Sequence, residues 1–337
     1  MARLGRRQVL AGFGSAAAFG GLVRPSFAQE TNFFRIASGP TESSMFQVAT
    51  LIGQVVSSPP GARDCARGGS CGVPGMIAVN QTTAGSLANI DLVGGRQTES
   101  ALCKADLAYW AFHGTGPWAK REAVRNLRAI ANLYPETLHL IVRRVANITN
   151  VRGLRGKSIA LGERESGTAI AARAALQAGG LGERDFRAQY MTTAQAAEAL
   201  EQGKIDAFFM TAGVPSQLVA DLAEQYEIAL IPLSAYAQRL RATQPFLTET
   251  SIPAGAYRGI GETGSLSVGI VWIVGEEVDD KVVYGLTRAL WHPNNRRLID
   301  ANAVFGRFLR PDTAVEGLGF QLHPGAALYY TESGLLR

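Results

Sequence analysis

SIALGERESGTAIAARAAL, residues 158–176, reads as a short apolar strand, a turn rich in Gly, Ser and Thr, and an Ala-rich helix. Such a turn aims the free N–H groups of a helix N-terminus at whatever lies in front of it, which makes a ready anion site. Two other loops share the design. ASGPTESSM (37–45) and NQTTAGSLAN (80–89) also follow apolar strand-like runs and lead into helical patterns. In each, a Ser near the helix start (Ser44, Ser86 or Ser166) is placed to cap it, and a plain N-cap is the simplest role for any one of them. Three such loops at the C-terminal ends of strands, where α/β sheets place their ligands, together favour a binding site.

The pattern repeats along the chain. FFRIAS (33–38) precedes the helical periodicity of MFQVATLIGQVV, and GMIAVNQT precedes LANIDLVGG. SALCKADLAYW reads as the next strand, and LHLIVRR as another, with Pro135 excluding a helix just before it. FRAQYMTTAQAAEALEQGKIDAFFMTAGVPSQLVADLAEQYEIALIPL continues β and α in alternation, the mark of parallel sheets covered by helices. SVGIVWIVG (267–275) is too short to span a membrane and reads as a buried strand, and DDKVVYGLTRALWHPNN returns to a helix. With 337 residues, two α/β lobes are expected. The chain ends form one discontinuous lobe (29–139 with 251–337), 140–250 form the other, and crossing strands join them.

Composition narrows the class. The formal charge is +5, but Arg3, Arg6, Arg7 and Arg24 fall in the first 28 residues, which hold no acid. The remainder is nearly neutral, which argues against a nucleic-acid partner. Arg6-Arg7, a weakly apolar Ala/Gly stretch and the small-residue end Ser26-Phe27-Ala28 form the layout of a twin-arginine export signal cleaved after Ala28. A general secretory signal or a retained anchor is the alternative. Export places the mature chain in the periplasm. There DCARGGSCG allows a short Cys65–Cys71 disulfide, with free thiols as the main alternative. Histidines at 113, 139, 292 and 323 are too scattered to complete a zinc site by spacing, so no metal is expected. Cys103, in an apolar run, reads as a buried small hydrophobe.

Catalytic readings fail on detail. None of the three loops has the lysine of a phosphate-binding G-x-x-x-x-G-K-[ST] loop. GIGETG (259–264) fits G-x-G-x-x-G but leads into a strand where a dinucleotide fold needs a helix. No G-x-S-x-G stretch stands between a strand and a helix, where a nucleophile elbow would need it. GERE (163–165 with Gly162) reads as a solvated turn, with Arg164 a candidate carboxylate partner.

In serial order, RIASGPTESSMF, AGSLAN, LRAIANLYPETLHLIVR, LRGKSIALGERESGTA, GKIDAFFMTAGVPS, TSIPAGAY and LHPGAALYY resemble the extracytoplasmic solute receptors of TRAP transporters, TAXI family. The Cys-x5-Cys loop is similar to that of a subgroup. The resemblance implies a two-lobed type II periplasmic-binding-protein fold. It implies a monomeric receptor without cofactor or enzymatic activity that closes on a small, usually carboxylate-bearing solute. It implies delivery to TRAP membrane permease subunits, DctQ/DctM-like and separate or fused. The family pattern falls on Ser38, Thr41, Ser44 and Phe46; on Gly85, Ser86 and Asn89; on Ser166, Gly167 and Thr168; on Phe209, Thr211 and Gly213; and on Tyr257. Two departures bear on ligand charge. Glu42 lies in a run that is usually Gly-Gly-Thr-Tyr-like, and Lys104 stands for the usual Gln; Lys104 in the cleft would attract an anion. An exported enzyme on a similar scaffold, or a binding protein feeding a sensor kinase, remain the alternatives.

Overall fold

The computed structural model describes residues 31–336 except 42, 165, 303 and 304, so the export signal and Glu42 lie outside the described residues. The first stretch runs β1 (Asn32–Ala37), α1 (Ser44–Val56), β2 (Ser57–Ser58), β3 (Val73–Pro74), β4 (Met76–Gln81), α2 (Ser86–Gly94), β5 (Ser100–Lys104) and α3 (Ala105–His113). A long strand, β6 (Leu127–Arg143), leads to β7 (Ser158–Ala160), α4 (Gly167–Ala178), β8 (Arg187–Gln189), α5 (Thr193–Glu201), β9 (Ala207–Ala212), α6 (Gln217–Gln225), β10 (Ile228–Leu230) and α7 (Ala237–Arg241). The chain returns through β11 (Leu247–Ile252) and β12 (Thr263–Gly275) to α8 (Asp280–Leu290), α9 (Arg296–Asp300) and α10 (Pro324–Glu332).

One curled sheet connects these elements, in the order β3-β2-β4-β1-β5-β12-β6-β9-β7-β8, with β10 beside β6 and β11 beside β12. Pairing is parallel among β4, β1 and β5, and again among β8, β7 and β9. It turns antiparallel at β12 and β6, the crossing strands. β6 has 17 residues, which at strand rise reach roughly 55 Å, enough to serve both halves. Its first part pairs with β12 and its last part, from Thr137, with β9. Pro135, opposite Gly269, lies within the β12 ladder, two residues before the pairing with β9 begins at Thr137.

Three sequence expectations change here. Pro135 excludes a helix, but the strand runs through it from Leu127 and not only from Leu138. SALCKADLAYW is not one strand: β5 ends at Lys104 and α3 begins at Ala105. Ser44 and Ser86 do not cap their helices. Ser43 caps α1, accepting from Phe46 N–H at 3.2 Å, and Gly85 takes the cap position of α2 with φ +107°, a conformation glycine adopts freely. Ser166 does cap α4, accepting from Ala169 N–H at 3.1 Å.

The core is continuous on one side of the sheet and divided on the other. Ile90, Cys103 and Trp110 share one cluster with Leu138, Ile159, Ala169 and Phe246, so α2, α3 and α4 bind the halves together. On the opposite side Phe34, Ile52, Trp272 and Tyr330 form one core under α1, α8 and α10, and Phe208, Val219 and Tyr257 form another under α5 and α6.

Candidate functional site

The middle of β6 collects the loop ends of both halves. Tyr134 donates its phenolic hydrogen to Ser44 Oγ at 2.9 Å, joining β6 to the start of α1. Ser86 at the start of α2 contacts Met45 Sδ at 3.9 Å and accepts from Lys104 N–H at 3.2 Å. Lys104 Nζ lies 3.0 Å from Glu136 Oε2 of β6. Asp106, in the first turn of α3, packs against the first residue of α4: a Cβ on Gly167 would overlap Asp106 Oδ2. Thr168, one residue on, shares a 2.8 Å hydrogen bond with Thr211 at the end of β9. A line of polar groups thus runs from α1 through β6 and α3 to α4 and β9.

The charges in this line are shielded from water. The Lys104 and Glu136 side chains are 20% and 17% exposed, and Asp106 is 1% exposed. Burial disfavours the Lys104 ammonium, but Glu136 and Asp106 outweigh it and raise its pKa. Burial raises the Asp106 carboxyl, and Lys104 only partly offsets that. Burial, with Glu136 nearby, also drives the Tyr134 phenol up, so it stays a hydrogen-bond donor. Fully ionised, two acids face one base, and the α4 N-terminus supplies the further positive potential.

Residues 36–334 match the NMT1-like family. The chain belongs to the NMT1-like family. Its fold is shared by a TctC solute binding protein from Polaromonas, 13% identical, with 92% of this chain and 100% of that one covered and a TM-score of 0.52. A periplasmic sulfonate-binding protein, SsuA, from Methylobacillus flagellatus KT is 15% identical over 91% of this chain and 89% of that one, with a TM-score of 0.50. At that identity the likeness establishes the fold, the two-lobed arrangement of periplasmic binding proteins expected from the sequence.

In this NMT1-like chain two adjoining cavities, of about 240 and 180 Å³, lie beside the middle of β6 and share Pro135, Thr250, Arg307 and Phe308 as walls. Val214, at the edge of the second-half core, and Phe308, packed on the first-half core, face each other there. Arg307 spans them, donating to the Val214 carbonyl at 2.8 Å.

The residues singled out in the sequence divide into three groups. Ser44, Ser86, Lys104, Ser166, Gly167, Thr168 and Thr211 meet along the polar line. Thr41 precedes α1, half-buried Phe46 lies in its first turn, and Gly213 follows β9 with open space where a Cβ would be. Ser38, Asn89, Phe209 and Tyr257 lie behind the site, each 2% exposed or less. Ser38 Oγ donates to Asn80 Oδ1 at 2.6 Å, and Asn89 is bonded to Ser38, Thr83 and Leu102. Tyr257 is held between His139 and Ser216. Arg164, exposed, stacks on Tyr190 with its guanidinium 4.3 Å from the ring centre, and Cys103 is buried with its thiol pKa pushed well up by desolvation. GIGETG bridges β11 and β12, away from any helix start. Sequence reasoning missed Tyr134, Glu136, Asp106 and Arg307. An acid in an otherwise apolar strand, as in YPET, was the available signal for Glu136.

Proposed function

We propose that the protein is an exported, non-enzymatic solute receptor of the periplasm that hands its solute to a TRAP-type permease driven by an ion gradient. The observation that carries this reading is the convergence of the α1, α2, α3 and α4 starts near the middle of β6. The lobes are 29–139 with 251–337, and 140–250. The solute is small, polar and carboxylate-bearing. Its carboxylate goes to Lys104, Thr168 and the N–H groups at the start of α4, and Asp106 and Glu136 give an ammonium group a partner, which favours an amino acid over a dicarboxylate. Groups from both halves complete the solute's hydrogen bonds only when the halves close, so binding selects the closed form. The TRAP assignment rests on the serial motif resemblance, and the periplasmic one on the Arg6-Arg7 leader as well.

A thermal-shift screen of the exported protein against amino acids and organic acids tests this. A ligand at a hundred times its Kd is expected to add about 2.7 kcal/mol of stability. Chemical turnover of the hit would overturn the receptor reading. Thr168→Val removes the hydroxyl from the line without touching the cap, and is expected to weaken binding about tenfold at nearly unchanged stability. Unchanged affinity would remove the α4 start from the site. Glu136→Gln frees the Lys104 ammonium of its partner, so dicarboxylate affinity is expected to rise roughly tenfold. A fall, read by calorimetry, would show that Lys104 does not face the solute.

A further inference from the structure

The four histidines are dispersed in the sequence, and for that reason Cys65 and Cys71 read there as a disulfide loop or a pair of free thiols, with no metal expected. The two are bonded in the structure, with Cα atoms 4.7 Å apart. The fold adds a third group from far along the chain. His292 follows α8 and brings Nε2 to 3.9 Å from Cys65 Sγ, and Asn294 Nδ2 lies 3.7 Å from the same sulfur. Both sulfurs and an imidazole nitrogen fall within 4.8 Å of one another. They open on a groove of about 460 Å³, also lined by Arg63, Asp64 and Arg288, beside β2 and β3. That is the edge of the sheet opposite β8, away from the polar line on β6.

We propose that in the dithiol state Cys65, Cys71 and His292 form a binding site for Zn2+, with the fourth position open to the groove. Two thiolates and one imidazole are a donor set that zinc favours, and three protein ligands with one open position is a common zinc arrangement. Tetrahedral bonds of about 2.3 Å to sulfur and 2.0 Å to nitrogen place donors roughly 3.5–3.8 Å apart. Reaching that from the present spread takes shifts of about an ångström, within a loop, CARGGSC, that holds two glycines. Arg63 and Arg288 favour the thiolate form of nearby cysteines.

A dithiol reductant gives two electrons and two protons to the Cys65–Cys71 bond and becomes a disulfide itself, leaving two thiols. Zn2+ displaces both thiol protons to water as two Zn–S bonds form. His292 Nδ1 accepts from Asn294 N–H at 3.2 Å, so its ring proton is on Nε2. As Nε2 binds zinc, that proton is lost to water and Nδ1 takes one up, and the Asn294 cap is given up. The site is therefore redox-gated: the disulfide form offers no thiolate.

The test titrates the exported protein, reduced with a phosphine under anaerobic conditions, with Co2+ as a coloured stand-in and then with Zn2+. One equivalent of Co2+ is expected to give sulfur-to-metal charge transfer and the intense d–d bands of a tetrahedral site, both lost on adding Zn2+. The oxidised protein is expected to give neither. His292→Asn keeps an acceptor for the Asn294 N–H but removes the nitrogen ligand. It is expected to weaken Co2+ binding tenfold or more at an unchanged melting temperature. Cys65→Ser is expected to abolish the charge-transfer band. Reduced protein that takes up no Co2+, a His292→Asn variant that binds with unchanged affinity and spectrum, or a band that survives Cys65→Ser would each overturn the proposal.

Discussion

Asn89→Ala is expected to lower the unfolding free energy by about 3 kcal/mol. Asn89 is fully buried. Its Nδ2 donates to the carbonyls of Ser38 at 2.5 Å and Leu102 at 2.6 Å, and its Oδ1 accepts from Thr83 Oγ1 at 2.6 Å. One amide therefore ties the ends of β1 and β5 to the loop that opens α2. Alanine takes the amide donor from the Ser38 and Leu102 carbonyls and the acceptor from the Thr83 hydroxyl, leaving the Ser38 carbonyl only its 3.2 Å bond from Thr83 Oγ1. Each such group costs about 1–3 kcal/mol. Asn89→Asp is expected to be worse, because a carboxylate would face two carbonyl oxygens with no hydrogen to give. Urea denaturation at pH 7 measures both. An unshifted midpoint together with reduced solute affinity would restore Asn89 to the binding surface and sink the structural role.

Asn89 also shows where sequence reading stops. The strand and helix alternation was legible because hydrophobic period depends on local neighbours: β1, α1, β4, α2 and α8 fall where the spacing puts them. The loop design was legible too, since Ser166 does cap α4 and Thr168 and Thr211 do meet. A polar side chain in such a loop carries no local mark of whether it turns outward to a solute or inward to satisfy backbone. Ser38, Asn89 and Tyr257 turn inward. Glu136 and Asp106 escaped because each sits in an apolar run, where the surroundings argue for core, and only the pairing of β6 with its neighbours brings Glu136 to Lys104. Pro135 argued against a helix just before LHLIVRR, and nothing local showed that the strand itself runs through the proline, which pairs opposite Gly269. His292 stands 227 positions from Cys65, a distance that no spacing rule covers.

Acidification is expected to remove roughly 3 kcal/mol of stability through His139. Its imidazole is fully buried, donates through Nδ1 to the Thr137 carbonyl at 2.9 Å, and accepts through Nε2 from the Tyr257 hydroxyl at 2.9 Å. The Tyr257 oxygen in turn accepts from Ser216 N–H at 3.0 Å, so a proton on Nε2 would break the chain at its first link. Burial lowers the His139 pKa from 6.5 to about 4, against the opposing pull of the Thr137 carbonyl. Above pH 6.5 the imidazole is neutral folded and unfolded, and the full stability is present. Between 6.5 and 4 the unfolded chain takes up a proton that the folded chain refuses, at about 1.4 kcal/mol per pH unit. Below about 4 both forms are protonated and the loss levels off. His323, fully buried with its pKa lowered by desolvation, adds to the same fall. Urea midpoints at pH 7, 5.5 and 4.5 check the slope, and His139→Gln, which keeps an acceptor for Tyr257 but does not titrate there, is expected to flatten it. Equal slopes in the two proteins would assign the loss to other groups. Ser216 follows the Val214–Pro215 turn, whose Val214 carbonyl receives Arg307 across the cavity, so the neutral imidazole also fixes one wall of that cavity.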